Sequence, residues 1–393
     1  MADSTLDVTQ PLHTAKTNLL LIDNGDSTYS IAAGVTAGSS AIGGVSLVDE
    51  SGVLYGVKHI SNKPRVSSMP YLYDIAEGNV TGHSVWSNIG FTPTMTTTES
   101  DVWSKAGAYV FPTAAQQMEA VSGDNTEDIG TVIFSGTSTG GSATTLIDTA
   151  KDFTAGTAVA VGDCVILEKS GTTPEWGYVT AVAETTLTIG GGFSSGGTGS
   201  LRAYSVVDYS AYPGAHAIYI SYLNGSYVED TEIVILNGTT AIDTVQTDLF
   251  RIQEARVIAA GSNNKPTGAI SVRNTAGTVT YGYITAKYTH SRSSIFTVPA
   301  GKTIYIVSMS MAYGFSTNQT HYARLTLRSN HIEDPGFRTG NIFYPSAETV
   351  LANTSFEINF GTPLALLEKV DIKVVGISTF SGIASVVMRG WIE

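Results

Sequence analysis

The chain of 393 residues contains a single cysteine, Cys164, and only 14% charged residues. One cysteine excludes an internal disulfide framework and a cysteine-rich zinc site, so packing and association must supply the stability. Basic residues are also few, with 21 Lys and Arg against 34 Asp and Glu and a formal net charge of −13. A phosphate backbone or an anionic membrane requires a basic surface, so we expect no direct nucleic-acid partner and no membrane partner.

Long apolar runs are missing, and helix-forming stretches are scarce. No segment approaches the roughly 18 consecutive apolar residues of a membrane-spanning helix. The start, MADSTLDVTQ, has neither the basic nor the apolar part of a secretory signal, so we expect synthesis in the cytoplasm. The one segment with helical character is 112–121, PTAAQQMEAV, in which Pro takes the first helical position.

The residues that are abundant favour β-structure. The chain has 41 glycines and 19 tyrosines, a composition typical of strands joined by many turns. The clearest strand follows a Pro-Ala-Gly-Lys turn in residues 296–311, FTVPAGKTIYIVSMSM. Its period of two places Ile304, Ile306 and Ser308 on one face and the residues between them on the other. We predict that this is a core strand of an all-β protein.

The order of such runs predicts a domain organisation. Residues 1–68 form an N-terminal β arm with hairpins around Asn24-Gly25 and Glu50-Ser51-Gly52, and the arm has too little apolar content for its own core. Residues 69–134 and 209–393 form the main region, in which about eight strands after residue 228 suit a jelly-roll-like β-sandwich.

Residues 135–208 differ in character, because Gly-rich turns separate four or five short strands, and we interpret them as an inserted small β-barrel. The runs before and after this insert have the same alternating pattern, which predicts that they are neighbouring strands of the parent. Replacing residues 137–208 by a short linker is therefore expected to cost the parent little stability. Cys164 lies on a predicted strand of the insert, where a buried and inert thiol is expected.

Motifs that carry chemistry are not found. The seven histidines form no H-E-x-x-H pattern, and no G-x-S-x-G elbow is present. Acidic turns at residues 23–26 and 122–128 cluster oxygen ligands without the spacing of a calcium loop, so solvated hairpin tips explain both. We therefore expect no catalytic residues, no bound metal, no cofactor and no enzymatic activity, while calcium in a loop stays open.

A resemblance emerges from several motifs taken together. MPYLYDIAEGN, VWSKAGAYVFPTAAQQMEAVSGDN, SYLNGSYVEDTEIVILNGTT, FTVPAGKTIYIVSM and the ending VVMRGWIE resemble a group of virion structural proteins of tailed bacteriophages. The resemblance covers roughly residues 69–130 and 213–393. It implies a structural part of a virion, assembled in the host cytoplasm, and it leaves the position in the particle open.

The function expected from the resemblance is a non-enzymatic component that decorates the capsid or forms a head or tail appendage. Its partners would be copies of itself, with a trimer favoured, and neighbouring capsid or tail proteins. The basic residues Lys58, His59, Lys63 and Arg65 are the candidate attachment segment, because they lie beside the arm in an otherwise acidic chain.

Two other functions are also compatible with the sequence. A receptor-binding or carbohydrate-binding module at a fibre or tail tip would stack sugar rings on exposed aromatic side chains, with Trp176 as the candidate glycan contact. A polysaccharide depolymerase is the weaker rival, since such enzymes commonly use β-helix repeats and no regular short repeat is seen.

Overall fold

The computed structural model describes residues 70–168, 173–193, 202–315, 323–330, 354–379 and 381–393, together with four short strands nearer the N-terminus. The chain divides into two compact units, Met1–Ser68 and Met69–Glu393. Nearly all regular structure of the described residues is antiparallel β-sheet, and their single helix is α1, Pro70–Ala76. The prediction of an all-β protein is therefore confirmed.

The described residues contain 26 strands. Those of the first unit are β1 Leu21–Asp23, β2 Tyr29–Ile31, β3 Ser46–Val48 and β4 Leu54–Gly56. The next strands are β5 Ser84–Met95, β6 Ser100–Asp101, β7 Met118–Ser122, β8 Val132–Thr137, β9 Gly140–Ser142, β10 Thr145–Ile147, β11 Cys164–Leu167, β12 Glu175–Ala183, β13 Thr186–Gly190 and β14 Ala203–Val207. The last are β15 Ala215–Asn224, β16 Glu229–Ile235, β17 Ile242–Asp243, β18 Leu249–Ala260, β19 Ile270–Asn274, β20 Thr280–Ile284, β21 Phe296–Thr297, β22 Ile304–Phe315, β23 Ala323–Ser329, β24 Thr354–Leu366, β25 Asp371–Ser378 and β26 Gly382–Ile392.

The first unit contains two short antiparallel ladders. β1 pairs with β2 in a register that places Leu21 opposite Ile31, and β3 pairs with β4 so that Ser46 lies opposite Gly56. Both ladders agree with the hairpins predicted from the sequence. The turn residues between these strands lie outside the described part of the chain.

The helix lies in a different place from the one that composition predicts. The prediction of a helix over 112–121 is wrong, because β7 is a strand that pairs with β17 and β19 and is buried at every position. Two strand partners outweigh helical propensities, which differ by at most about 0.7 kcal/mol among ordinary residues. The true helix starts at Pro70 and is followed by Gly78 with a φ of 73°, the Pro-first and Gly-last pattern of helix ends.

Two sheets enclose a C-terminal core. One has the strand order β24-β22-β26-β5, and the other has the order β21-β25-β23 with β6 paired to β25. Their facing side chains form one apolar cluster, in which Met95, Ile306, Leu325 and Val374 are fully buried. β5 and β6 precede the insert, so chain segments on both sides of the insert contribute to this core.

β22 contains the predicted core strand, and a bulge interrupts its alternation. The pairing with β24 and with β26 passes from Ile306 directly to Ser308 and skips Val307. This extra residue moves Met309 onto the core face that Ile306 already occupies. The predicted assignment of faces is therefore right as far as Ile306 and wrong beyond it.

A second pair of sheets encloses a middle core. Their strand orders are β16-β15-β18 and β17-β7-β19-β20, and Met118, Ile218 and Ile270 are fully buried between them. An ion pair joins Arg251 on β18 of this region to Asp371 on β25 of the C-terminal region, with Nε and Oδ1 2.9 Å apart. The two cores therefore share a buried polar connection.

The acidic loop over residues 122–130 holds separate chain segments together. Asp128 is fully buried, and its carboxylate accepts hydrogen bonds from the Ser122 hydroxyl and from the backbone N–H groups of Ala215, Thr267 and Gly268, at 2.5 to 2.9 Å. The prediction of a solvated hairpin tip is wrong for this side chain. Because these donors occupy both carboxylate oxygens, Asp128 has a structural role.

The insert is a seven-stranded sheet in the order β8-β14-β11-β12-β13-β10-β9. It curls around its own core, in which Leu146, Phe153, Leu187 and Tyr204 are fully buried. Residues 138 and 139 connect β8 directly to β9, and their N–H groups donate to the Arg202 carbonyl before β14 and to the Ile147 carbonyl on β10. This bent segment therefore pairs with β14 through β8 and with β10 through β9, and the closed barrel stays a prediction. β8 pairs with β14 of the insert rather than with a parent strand, so the insert sheet begins before residue 135.

Candidate functional site

The candidate site residues predicted from the sequence fall in two places. Lys58, His59, Lys63 and Arg65 lie outside the described residues, so the structure gives no geometry for that basic segment. Trp176 lies on β12, where the insert meets the parent sheet of β15, β16 and β18. We call this contact region the insert junction.

The parent side of the insert junction is formed mainly by β15. Ile218 and Ile220 on this strand face the middle core, whereas Ala217 and Tyr219 face the insert. β15 is thus covered on both faces, and its sequence, AHAIYISYLN, is an almost continuous apolar run. Such a run is the sequence signal that predicts a strand of this kind.

The insert side repeats this pattern on β11. Val165 and Leu167 belong to the core of the insert, while Cys164 and Ile166 belong to the insert junction. The predicted buried thiol is confirmed, since Cys164 is 3% exposed and burial raises its pKa to about 12. The insert covers one face of a parent sheet. This geometry does not support the expectation that excising residues 137–208 costs the parent little stability.

Trp176 is half-buried and its ring already has partners. The ring of Tyr219 lies 5.3 Å away between centroids at an interplanar angle of 51°. The guanidinium of Arg256 lies 5.1 Å from the Trp176 ring and 4.6 Å from the Tyr219 ring. Burial raises the pKa of the Tyr219 hydroxyl, and this effect outweighs the lowering caused by the nearby Arg256 cation. A sugar ring would have to compete with these contacts for the faces of Trp176.

A groove of about 240 Å³ opens at the edge of the insert junction. We call it the junction groove. The insert contributes Ile166, Glu168 and Ser205 to its walls, and the parent contributes residues 232–235 of β16 together with Asp243 and Val245. β16 and β17 are each the end strand of their own sheet, so two sheet edges meet at this groove.

The junction groove is acidic. Glu168 and Asp243 are exposed carboxylates, and none of its described lining residues is basic. Glu232 is 4% exposed, and its carboxylate accepts hydrogen bonds from the backbone N–H groups of Val245 and of Gln246, the latter at 3.1 Å. These two bonds hold the loop of residues 245 and 246, which forms one rim of the groove, against the Glu232 side chain of β16.

Among the described residues, β15 is the only strand that pairs with β16, so the other edge of β16 is the edge of its sheet. At one end of the ladder the Leu236 N–H donates to the His216 carbonyl, and at the other the Val228 carbonyl accepts from the Asn224 N–H. In an antiparallel ladder alternate residues turn their backbone groups to the same side, so the even-numbered residues of β16 face β15. The N–H and C=O groups of residues 231, 233 and 235 therefore point to the opposite edge.

Sequence reasoning did not identify the junction groove. Its walls come from stretches around residues 166, 205, 233 and 243, and no local pattern shows that these stretches meet. One signal is present in β16, EDTEIVI, where acidic residues precede an apolar run. This composition is typical of a strand with an exposed acidic edge and one packed face.

The described residues contain no group of three or more His, Cys, Asp or Glu side chains placed to hold a metal ion. No helix in the described part of the chain is long and apolar enough to cross a membrane.

Comparisons with known proteins give the chain no relative. No protein family matches its sequence, no curated protein is similar to it, and no solved structure matches its fold.

Proposed function

We propose that this protein is a non-enzymatic structural component of a bacteriophage virion that decorates the capsid or forms a head or tail appendage through symmetric self-association. The sequence motifs in residues 69–130 and 213–393, which resemble virion structural proteins of tailed phages, support this proposal. In it the trimer is the favoured assembly, and a neighbouring capsid or tail protein is the second partner. Assembly takes place in the host cytoplasm, and the mature protein resides in the virion.

An exposed apolar surface on the C-terminal region is the observation that carries the proposal. The outward faces of β5 and β26 present Val85, Ile89 and Ile383, which are 53%, 52% and 47% exposed, with half-buried Val387 directly opposite Ile89. We call these four residues the sheet patch. Ile89 and Val387 are direct neighbours across the ladder, whereas Ser87 lies between Ile89 and Val85, and Ser385 lies between Val387 and Ile383. Exposed apolar side chains on one sheet face occur at protein interfaces, and symmetric oligomers use one such surface in every copy.

The C-terminal region is, in this proposal, a jelly-roll-like sandwich. Its support is the single apolar cluster that the β24-β22-β26-β5 sheet shares with the sheet containing β25. Sandwiches of this kind bury one face of each sheet and leave the other face available for contacts between subunits. The sheet patch occupies such an outer face.

Light scattering of the purified full chain at micromolar concentration tests the self-association. The expected mass is three times the 41.3 kDa of one chain. Ile89→Arg is expected to lower the mass towards that of a monomer, because a buried interface has to desolvate the new charge. The matched control is Val161→Arg, which adds the same charge at a 67% exposed position of the insert and is expected to leave the mass unchanged.

Two results would contradict the proposed assembly. A clean monomer at every concentration measured would exclude self-association of the chain by itself. An Ile89→Arg variant that keeps the wild-type mass would show that the sheet patch is not the contact surface.

A further inference from the structure

We propose that the junction groove binds an extended peptide segment of a partner protein, which adds as a strand to the free edge of β16 and places a Lys or Arg side chain between Glu168 and Asp243. This inference concerns a second interaction site on the protein. It does not depend on the proposed place in a virion, because it rests on the backbone and the charges of the groove alone.

The backbone of β16 provides the first argument. Its outward edge offers the N–H and C=O groups of residues 231, 233 and 235 in strand geometry, as the ladder with β15 requires. An added strand satisfies such groups with main-chain hydrogen bonds, and neighbouring pockets then select alternate side chains. The groove runs along the same edge, since it is lined by residues 232–235. An extended chain therefore finds hydrogen bonds and side-chain space in one place.

The size of the groove provides the second argument. Its volume of about 240 Å³ lies below the roughly 300 to 1,000 Å³ of typical small-molecule sites. This space suits one or two side chains of a peptide better than a cofactor. Ile166 and Ile235 supply apolar walls, so the stem of a long side chain can pack on them while its charged end stays near water.

Charge provides the third argument and selects the occupant. The exposed carboxylates of Glu168 and Asp243 and the buried carboxylate of Glu232 all belong to the groove lining, and together they favour a cationic side chain. Pairing of β16 with β16 of a second copy is disfavoured, because the strand itself carries Glu229, Asp230 and Glu232 and would meet like charges. The occupant is thus a basic, extended segment of another protein.

Fluorescence anisotropy with the full chain tests this site. The labelled probe is a peptide of about eight residues, a usual strand length, that alternates Val and Lys, and its matched twin alternates Val and Glu. We expect saturable binding of the lysine peptide below about 1 mM and at least about tenfold weaker binding of the glutamate twin. N-methylation of alternate backbone nitrogens in the lysine peptide should weaken its binding by a similar factor, because it removes the donors of the added strand.

Two matched variants locate the site. Val245→Arg adds a cation at the groove rim, at a residue that is 80% exposed, and should weaken binding of the lysine peptide at least about tenfold. Val161→Arg adds the same charge at an exposed residue outside the groove lining and should leave the affinity within about twofold. Asp243→Asn should also weaken binding, with folding intact, because this side chain is exposed.

Each contrary result overturns a defined part of the inference. Absence of saturable binding of the lysine peptide overturns the site. Equal weakening by Val245→Arg and Val161→Arg means that the peptide follows net charge and not the groove. Undiminished binding of the N-methylated peptide excludes strand addition to β16. Because the sheet patch is unchanged in every arm, these results are independent of the test for self-association.

Discussion

The buried ion pair between Arg251 and Asp371 provides a sharp test of how the two cores of the main region are connected. The Arg251 guanidinium donates to both carboxylate oxygens of Asp371, at 2.9 and 3.1 Å, and the Thr297 hydroxyl donates to the same carboxylate at 2.6 Å. Arg251 also donates to the Pro112 carbonyl, and its guanidinium lies 3.9 Å from the centre of the Phe250 ring. Both charged residues are at least nine-tenths buried.

Asp371→Asn is the informative perturbation. It keeps the shape of the side chain and removes the negative charge, so the cation of Arg251 stays buried without an anionic partner. Breaking a buried pair in this way costs about 3 to 5 kcal/mol, a large share of the roughly 5 to 15 kcal/mol that stabilises a typical domain. With a urea m-value of about 3 kcal/mol per molar, the unfolding midpoint should fall by about 1 M or more.

A double variant measures the interaction between Arg251 and Asp371 separately from the interactions that each makes with other groups. Arg251→Met combined with Asp371→Asn removes both charges, so the double variant should lose less stability than the sum of the single variants, with a coupling energy of at least about 1.5 kcal/mol. The control is the exposed pair of Arg389 and Glu357, whose closest N and O atoms are 3.9 Å apart. Glu357→Gln should change stability by less than about 1 kcal/mol.

Urea unfolding followed by tryptophan fluorescence measures these changes on the full chain. A loss below about 1 kcal/mol for Asp371→Asn would refute the reasoning, because it would mean that water or another group compensates the Arg251 charge. Additive single losses would show that the two side chains act independently.

Three further predictions concern packing. Gly390→Ala should lower the free energy of unfolding by about 3 kcal/mol or more, because a Cβ there would lie 1.8 Å from a carbonyl oxygen of the neighbouring strand β22. Gly361→Ala is the control and should be nearly neutral, because a Cβ there would have no atom within 4 Å. Urea unfolding compares the two variants. Cys164 should react with a thiol reagent at pH 8 only after unfolding, because a pKa of about 12 leaves about one thiolate in ten thousand; absorbance kinetics in native buffer and in guanidinium measure this. Excising residues 137–208 should destabilise the parent by about 1.5 to 3 kcal/mol or more, because exposing Ile258 alone would lose that much burial free energy. Thermal or urea unfolding measures this loss.

The period of two in the sequence predicts much of this fold. It identifies β22, the two ladders of the first unit and the buried strand that carries Cys164. The errors occur where tertiary partners decide the outcome. Residues 112–121 contain good helix formers, yet β7 lies between β17 and β19, and local propensity cannot reveal those partners. The sequence also gives no sign of the bulge at Val307, because one extra residue does not alter the composition of the strand.

The candidate site is harder to predict than the fold. Trp176 is an aromatic residue of the insert in the sequence, and nothing local shows that Tyr219 and Arg256 pack on it. The junction groove combines residues separated by up to 80 positions, so only the packing of the insert on the parent brings them together. The continuous apolar run of β15 is the one local sign of that packing, since a strand buried on both faces needs a cover.

The proposed structural role in a phage virion is tested most directly by reconstruction of purified virus particles whose genome carries the gene for this chain. The account predicts density that fits the region Met69–Glu393 in symmetric copies on the capsid, the neck or the tail, with the sheet patch of Val85, Ile89, Ile383 and Val387 at a contact between copies. Particles that lack the chain by mass spectrometry, while the infected cells contain it, would contradict a structural role in the virion.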